Sequence, residues 1–315
     1  MNGILTSCRR FLLTGILASA ALLTSCSKSR PSSSGSPDYR KPTTSSSTST
    51  SSATPIRRVV AGSVGPSLYP SNAPFIHAKS AIMIDAKTGR TIYQKYADSV
   101  RGAASTQKLL TAMVVIDSGN LNAMATVSQA DTRVEPSKLY IRAGDQYSRR
   151  SLLTAFLVKS SNDVSLTLAR DNAGSISAFC AKMNAKARSV GAMRSNFTNP
   201  HGLTGAGQYS CARDVARFSY AAYKNPVIRD IVRRKFYRFT YNSGKSKVLE
   251  NTNKLLGAMP EANGMKTGYT KAAGRCLVSS AKKGSDEVIL VQLGSETKYI
   301  FNDAYKMMQW GLNKL

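Results

Sequence analysis

The chain has 315 residues, 42% of them hydrophobic, enough to bury the core of one large domain or two small ones. Its formal net charge is +27, with no zinc finger or aromatic RNA-binding signature, so the charge points to cell-wall polymers or anionic lipid headgroups and not to nucleic acid. With only His77 and His201 and no C-x-x-C spacing, neither a metal centre of the usual His/Cys type nor a cofactor is expected.

The chain opens with Arg9 and Arg10, the apolar run FLLTGILASAALL and then LTSC ending at Cys26. A charged start, a short apolar stretch and small residues read as an export signal over 1–25, too short for a lasting membrane span. LTSC resembles the bacterial lipobox, in which the cysteine is lipidated after cleavage. That resemblance implies Cys26 as the lipidation site, a membrane anchor through an N-terminal lipid, and a mature protein working in the periplasm or cell-wall space. Residues 26–72, dominated by Ser, Thr and Pro, lack the apolar content for a core and are expected to form a disordered tether. Such a coil of about 45 residues spans ~35 Å on average and ~150 Å fully extended. Eight of the 44 basic residues and one of the 17 acidic ones precede residue 61, so an excess of 20 positive charges belongs to the remainder. Cys180, Cys211 and Cys276 are left after the signal and the lipidated cysteine, an odd number that permits one disulfide at most.

From residue 73 the pattern becomes that of a folded domain reaching 315. SAIMIDAKTGRTIYQKY alternates apolar and polar residues around a turn at Gly89 and predicts a β-hairpin. Helical periodicity follows over about 105–118, closed by Gly119, then over 151–159, 162–173, 175–190, 212–224 and 226–234. Strand patterns return in KFYRFTY, SKVLEN, GMKTGYT, GRCLVSSAKK and DEVILVQLG, and a helix over 297–314 ends the chain. Strands at both ends with helices between them predict an α+β fold: an antiparallel sheet with flanking helices and an inserted helical lobe.

Within this frame three polar motifs stand in order: S-T-Q-K at 105–108, S-S-N at 160–162 and K-T-G at 266–268. Ser105 and Lys108, three apart, share one helix face, so a hydroxyl and an amine can meet. Two copies are decoys. SGN at 118–120 begins 13 residues along the same helix from Ser105, ~20 Å away. KTG at 87–89 sits in the predicted hairpin turn, where those residues are ordinary.

The ordered trio is similar to that of the penicillin-binding serine acyltransferases. IRAGDQYSRRSLLTAFLVKSSNDVSLTLA, NFTNPHGLTGAGQYSCARDVARF and NGMKTGYTKAAGRCLVSSAKKG extend the resemblance to the low-molecular-mass D-alanyl-D-alanine carboxypeptidases, over roughly 73–315. The resemblance implies the penicillin-binding, β-lactamase-like transpeptidase fold. It also implies stem peptides ending in D-Ala-D-Ala as substrates, with β-lactams as inhibitors. Ser105 is then the nucleophile, Lys108 its base and Ser160 a proton relay. Asn162, Lys266, Thr267, Gly268 and Tyr269 bind substrate, with the amides of Ser105 and Tyr269 as the oxyanion site. The second serine of S-S-N, where S-G-N is common, is expected to narrow the cleft.

Other readings are weighed against this one. A D,D-endopeptidase cutting cross-links would use the same motifs. A serine β-lactamase of class A type needs a glutamate to activate water; no E-x-x-L-N segment exists, and Glu135 lies in different surroundings. A Ser–His201–Asp214 triad is a rival, although NPHGL reads more simply as a turn. A non-catalytic wall-binding lipoprotein would not need the nucleophile.

Overall fold

A computed structural model describes residues 68–315. The export signal, Cys26 and nearly all of the expected tether lie outside the described residues. The fold is the expected α+β type. The predicted hairpin forms as β1 (Ser80–Asp85) and β2 (Thr91–Lys95). A 3-10 turn, Ala104–Gln107, leads into α1 (Lys108–Asp117). A short hairpin that periodicity did not reveal, β3 (Met124–Thr126) with β4 (Gln146–Ser148), precedes α2 (Arg149–Lys159), α3 (Asn162–Ala173) and α4 (Ile176–Ser189). Then come α5 (Ala212–Lys224), α6 (Pro226–Val232), a hairpin of β5 (Phe236–Thr240) and β6 (Ser246–Glu250), and a single turn, α7 (Leu255–Ala258). The long strands β7 (Ala262–Thr270), β8 (Gly274–Lys283) and β9 (Asp286–Ser295) and the helix α8 (Ile300–Leu312) complete it.

The main sheet has the order β2-β1-β9-β8-β7 and is antiparallel throughout, so the N-terminal hairpin joins the C-terminal strands edge to edge. Both of its faces are covered, which is why β1 and the middle of β9 read as unbroken apolar runs. Alternation then divides the side chains between two cores. Met83, Leu277, Val288 and Leu290 pack under Ile300, Ala304, Met307 and Met308 of α8. Ile82, Val278, Ile289 and Val291 face the helical lobe with Leu109, Phe156, Leu168 and Phe218.

Local chemistry sets the helix ends. Ser148 and Ser175 accept the N3 amides of α2 and α4, and Asn225 caps α6 before Pro226 at its first position. The KTG copy at 87–89 is a turn: the Asp85 carboxylate takes the Lys87 amide at 2.8 Å and the Thr88 hydroxyl at 2.7 Å. Cys180, Cys211 and Cys276 are all buried free thiols. Among the described residues, no helix is long and apolar enough to cross a membrane. Two consequences of this architecture shape the site. β7 is a sheet edge, and the 3-10 turn before α1 lies against it.

Candidate active site

The S-T-Q-K tetrad begins on a tight turn. Ala104 has φ +47°, and the Thr106 hydroxyl closes the turn on the Ala103 carbonyl at 2.6 Å. In a 3-10 helix residues three apart eclipse one another, which sets Ser105 over Lys108. Their Oγ and Nζ are 2.8 Å apart. Lys108 is fully buried, and its amine also donates to Asn162 Oδ1 at 2.8 Å and to the His201 carbonyl at 2.6 Å. Burial, and then the charge of Lys266, push the Lys108 amine well below its usual range, with Asp163 opposing them.

Asn162 and Asp163, adjacent on the first turn of α3, pull one loop from two sides. Asn162 Nδ2 donates to the carbonyls of Glu135 and Pro136 at 3.0 and 3.1 Å. The Asp163 carboxylate accepts the amides of Leu139 and Tyr140 at 3.0 and 2.7 Å. Ser160 caps α2 in the left-handed region, φ +65°, which turns it into the cleft. Among the described residues its hydroxyl makes no hydrogen bond, either to Ser105 or to Lys108. Ser161 is fully buried and lines no part of the cleft, contrary to the expected narrowing: the reversal at Ser160 sends the next side chain inward.

The segment 198–204 carries what side-chain motifs could not show. The Gln107 amide donates to the Asn199 carbonyl at 2.6 Å, the Thr111 hydroxyl to the Pro200 carbonyl at 2.8 Å, and the Ser105 hydroxyl to the His201 carbonyl at 3.1 Å. His201 thus serves through its main chain. Its ring accepts the Leu203 amide at Nδ1, and burial, followed by the charge of Lys108, lowers its pKa to about 3. Asp214 is engaged elsewhere, with the Arg194 amide and the Ser195 hydroxyl, so no Ser–His–Asp triad assembles. The only sequence signal here is His-Gly after a proline: Gly202 has φ +91°, and a Cβ on it would lie 2.2 Å from the Ala104 carbonyl oxygen.

Alternation along β7 splits the K-T-G motif. Gly268 faces the nucleophile turn, where a Cβ would meet the Ser105 nitrogen at 2.8 Å, so glycine lets the strand edge close on Ser105. Lys266, 1% exposed, shares that face of β7, and its charge acts on Lys108; its amine donates to the Thr267 carbonyl at 3.0 Å, and burial lowers its pKa to about 7. Thr267 and Tyr269 face outward into a cleft of about 480 Å³ that also contains Ser105, Ser160, Asn162 and Gly268. Two further residues of this cleft escaped the sequence reading. The Thr252 hydroxyl lies 2.6 Å from that of Thr267. Arg275, paired with Tyr269 across the strands, stacks 4.5 Å from its ring and donates through Nε to the Thr297 hydroxyl at 2.9 Å. Lys159 and Lys254 add positive charge at the walls, and no Asp or Glu lines the cleft.

Comparison with known proteins gives a consistent picture. The family model described as D-alanyl-D-alanine carboxypeptidase matches residues 69–297. The D-alanyl-D-alanine carboxypeptidase DacF of Bacillus subtilis is 33% identical over 225 residues, 70% of this chain and 58% of the relative, so the chain spans well under two thirds of that protein's length. A D-alanyl-D-alanine endopeptidase of Escherichia coli is 33% identical over 246 residues, 76% of this chain and 79% of the relative. The crystal structure of a D-alanyl-D-alanine carboxypeptidase from Mycobacterium tuberculosis superposes with a TM-score of 0.75 at 31% identity, covering 78% of this chain and 96% of the other.

Proposed function

The chain belongs to the D-alanyl-D-alanine carboxypeptidase family, and from that premise we propose that it removes the terminal D-alanine from peptidoglycan stem peptides through an acyl-enzyme on Ser105. The observation that carries this reading is the buried, uncharged-leaning Lys108 amine 2.8 Å from the Ser105 hydroxyl. Ser105 Oγ attacks the carbonyl carbon of the penultimate D-alanine and passes its proton to Lys108 Nζ. The amides of Ser105 and Tyr269 take the charge that develops on the carbonyl oxygen, each worth ~2.7–4 kcal/mol by analogy with other acyl transferases. The C–N bond breaks, D-alanine leaves with a proton relayed through Ser160, and water then cleaves the ester. Asn162 lies beside the substrate backbone in the cleft, its amide orienting the Lys108 amine and the 135–136 carbonyls. Thr267 and Arg275 receive the terminal carboxylate, with the buried Lys266, on the Gly268 face of β7, as a second positive charge. β-Lactams acylate the same serine, and a cleft without a carboxylate to activate water favours a long-lived penicilloyl ester. For the N-terminus we propose export, lipidation at Cys26 and a tethered catalytic domain acting outside the cytoplasm.

The test is incubation of the full-length protein with a fluorescent penicillin and, separately, with a pentapeptide ending in D-Ala-D-Ala, following label lifetime and free D-alanine by mass spectrometry. A stable adduct on Ser105 with D-alanine release supports the reading, and Ser105→Ala removes both. Rapid loss of label with opened β-lactam makes the protein a β-lactamase. Release from cross-linked dimers alone makes it an endopeptidase.

A further inference from the structure

The loop 135–140 borders two hollows. Pro136 and Ser137 line the catalytic cleft; two residues on, Leu139 and Tyr140 line a separate groove of about 460 Å³. Tyr140 has φ +64° and is 66% exposed. A bulky residue in the left-handed region costs on the order of 1–3 kcal/mol, and here the strain turns the ring outward, so core packing does not account for it. The surroundings hold it there. Asp163 accepts the Tyr140 amide at 2.7 Å, and the Tyr241 hydroxyl donates to the Leu139 carbonyl at 2.9 Å. Lys138 Nζ lies over one face of the ring, 5.5 Å from its centroid, and the groove is lined by the exposed cations Arg142, Lys245 and Lys247 and by Ser243 and Ser246. The one acid of the groove, Asp145, is occupied by the Arg142 amide at 3.0 Å and the Tyr147 hydroxyl at 2.7 Å.

We propose that this groove binds the glycan strand that carries the stem peptide, with a sugar face stacked on Tyr140 and the cations meeting carboxylates of neighbouring stem peptides. The inference rests on the proposed reaction, which puts one stem peptide in the adjoining cleft. An aromatic ring fits the C–H face of a sugar while nearby hydroxyls bond its polar edge. The 135–140 loop joins the two hollows, so a chain leaving the cleft past Pro136 and Ser137 meets the groove at Leu139 and Tyr140. The same helix end serves both hollows, since Asn162 contacts the Lys108 amine and Asp163 fixes the Tyr140 loop.

The experiment compares kcat/KM for D-alanine release from a free pentapeptide and from the same pentapeptide borne on short uncross-linked glycan strands. It uses the full-length wild type, Tyr140→Ala and the double variant Lys245→Gln/Lys247→Gln. The expected result is a preference for the glycan-borne substrate that falls on the order of tenfold in each variant, the size of one lost contact. An unchanged preference overturns the proposal. The charge variant lies on an exposed hairpin and keeps the test decisive if Tyr140→Ala does not fold. Should the wild type release no D-alanine from either substrate, the carboxypeptidase reading fails, and co-sedimentation with peptide-free glycan strands decides the groove separately. Retention lost in Tyr140→Ala supports it, and equal retention, or binding only to a phosphate-bearing polymer, overturns it.

Discussion

Gly202→Ala is the sharpest probe of how the site is assembled, because it adds one methyl group to a residue that contributes no side chain. The new Cβ would lie 2.2 Å from the Ala104 oxygen, 2.5 Å from its carbon and 2.8 Å from the Ser105 nitrogen. Unbonded carbon and oxygen rarely approach within about 3.3 Å, so the 198–204 segment must retreat by ~1 Å. The His201 carbonyl, 2.6 Å from Lys108 Nζ, would then pass out of hydrogen-bond range. A displacement of this size costs ~100-fold in a positioned reaction. Left-handed strain of ~1–2 kcal/mol and overpacking of ~1–3 kcal/mol add to a melting temperature lower by roughly 5–15 °C. Gly119→Ala is the control: its φ is +77°, yet nothing lies within 4 Å of its Cβ. It should lose the strain energy alone. The assay is the rate of acylation by fluorescent penicillin, measured well below each melting temperature. Gly202→Ala acylating within about threefold of wild type, or Gly119→Ala slowing as much, would mean that the close approach of Gly202 to Ala104 does not position the nucleophile.

Lys266 has a folded pKa of about 7 against ~10.4 in an unfolded chain, so between those values the unfolded state holds a proton the folded state lacks and stability rises with pH, by at most ~1.4 kcal/mol per unit. Lys266→Met should therefore melt above wild type by a margin that shrinks from pH 7 to pH 10, and a margin independent of pH sinks the idea. Arg275→Leu should cut kcat/KM on the order of 10- to 100-fold for a peptide ending in a free carboxylate while sparing the same peptide with a C-terminal amide. Equal losses on both would remove Arg275 from carboxylate recognition. Asp163→Ala strands the buried Leu139 and Val164 amides and frees the Tyr140 amide, so urea unfolding should show a loss of ~2–4 kcal/mol; a change below about 1 kcal/mol would mean that water replaces the carboxylate.

The fold class was legible because its signals are local. The Gly89 turn, the apolar strands beyond residue 262 and the serine caps each declare an element without reference to the rest of the chain. β3 and β4 were missed because three-residue strands are too short to show a period. At the site, spacing lets Ser105 meet Lys108, since three residues bring the groups together in either kind of helix, but the same spacing recurs at Ser280/Lys283 and Ser295/Lys298, and only the ordered S-T-Q-K, S-S-N and K-T-G motifs single this pair out. K-T-G shows what a motif leaves out: because a strand alternates, Thr267 and Tyr269 take one face of β7, while Lys266 and Gly268 take the other, toward the nucleophile turn and Lys108. Arg275 was hidden for the complementary reason: its place opposite Tyr269 depends on strand register, which no motif encodes. The His201 carbonyl could not be read at all, because any residue has one.

That carbonyl decides which way a proton runs. A lysine ammonium has three hydrogens, and in its charged form Lys108 fills Ser105 Oγ, Asn162 Oδ1 and the His201 oxygen, while the Ser105 hydroxyl leans on the same carbonyl at 3.1 Å. The neutral amine has two hydrogens and one lone pair. Asn162 Oδ1 and the His201 oxygen are acceptors only, so they claim both hydrogens, and the lone pair is left facing Ser105. Activation then needs only a rotation of the serine hydroxyl, from its long bond at His201 to the amine. Burial and Lys266 bias the amine toward that neutral form. On this argument Asn162→Leu harms the reaction without altering any charge, because it releases one amine hydrogen to compete for the serine oxygen. Acylation should therefore fall in Asn162→Leu even where the optimum pH is unchanged, and a variant that acylates at the wild-type rate would show that the orientation of the lone pair is set by some other contact.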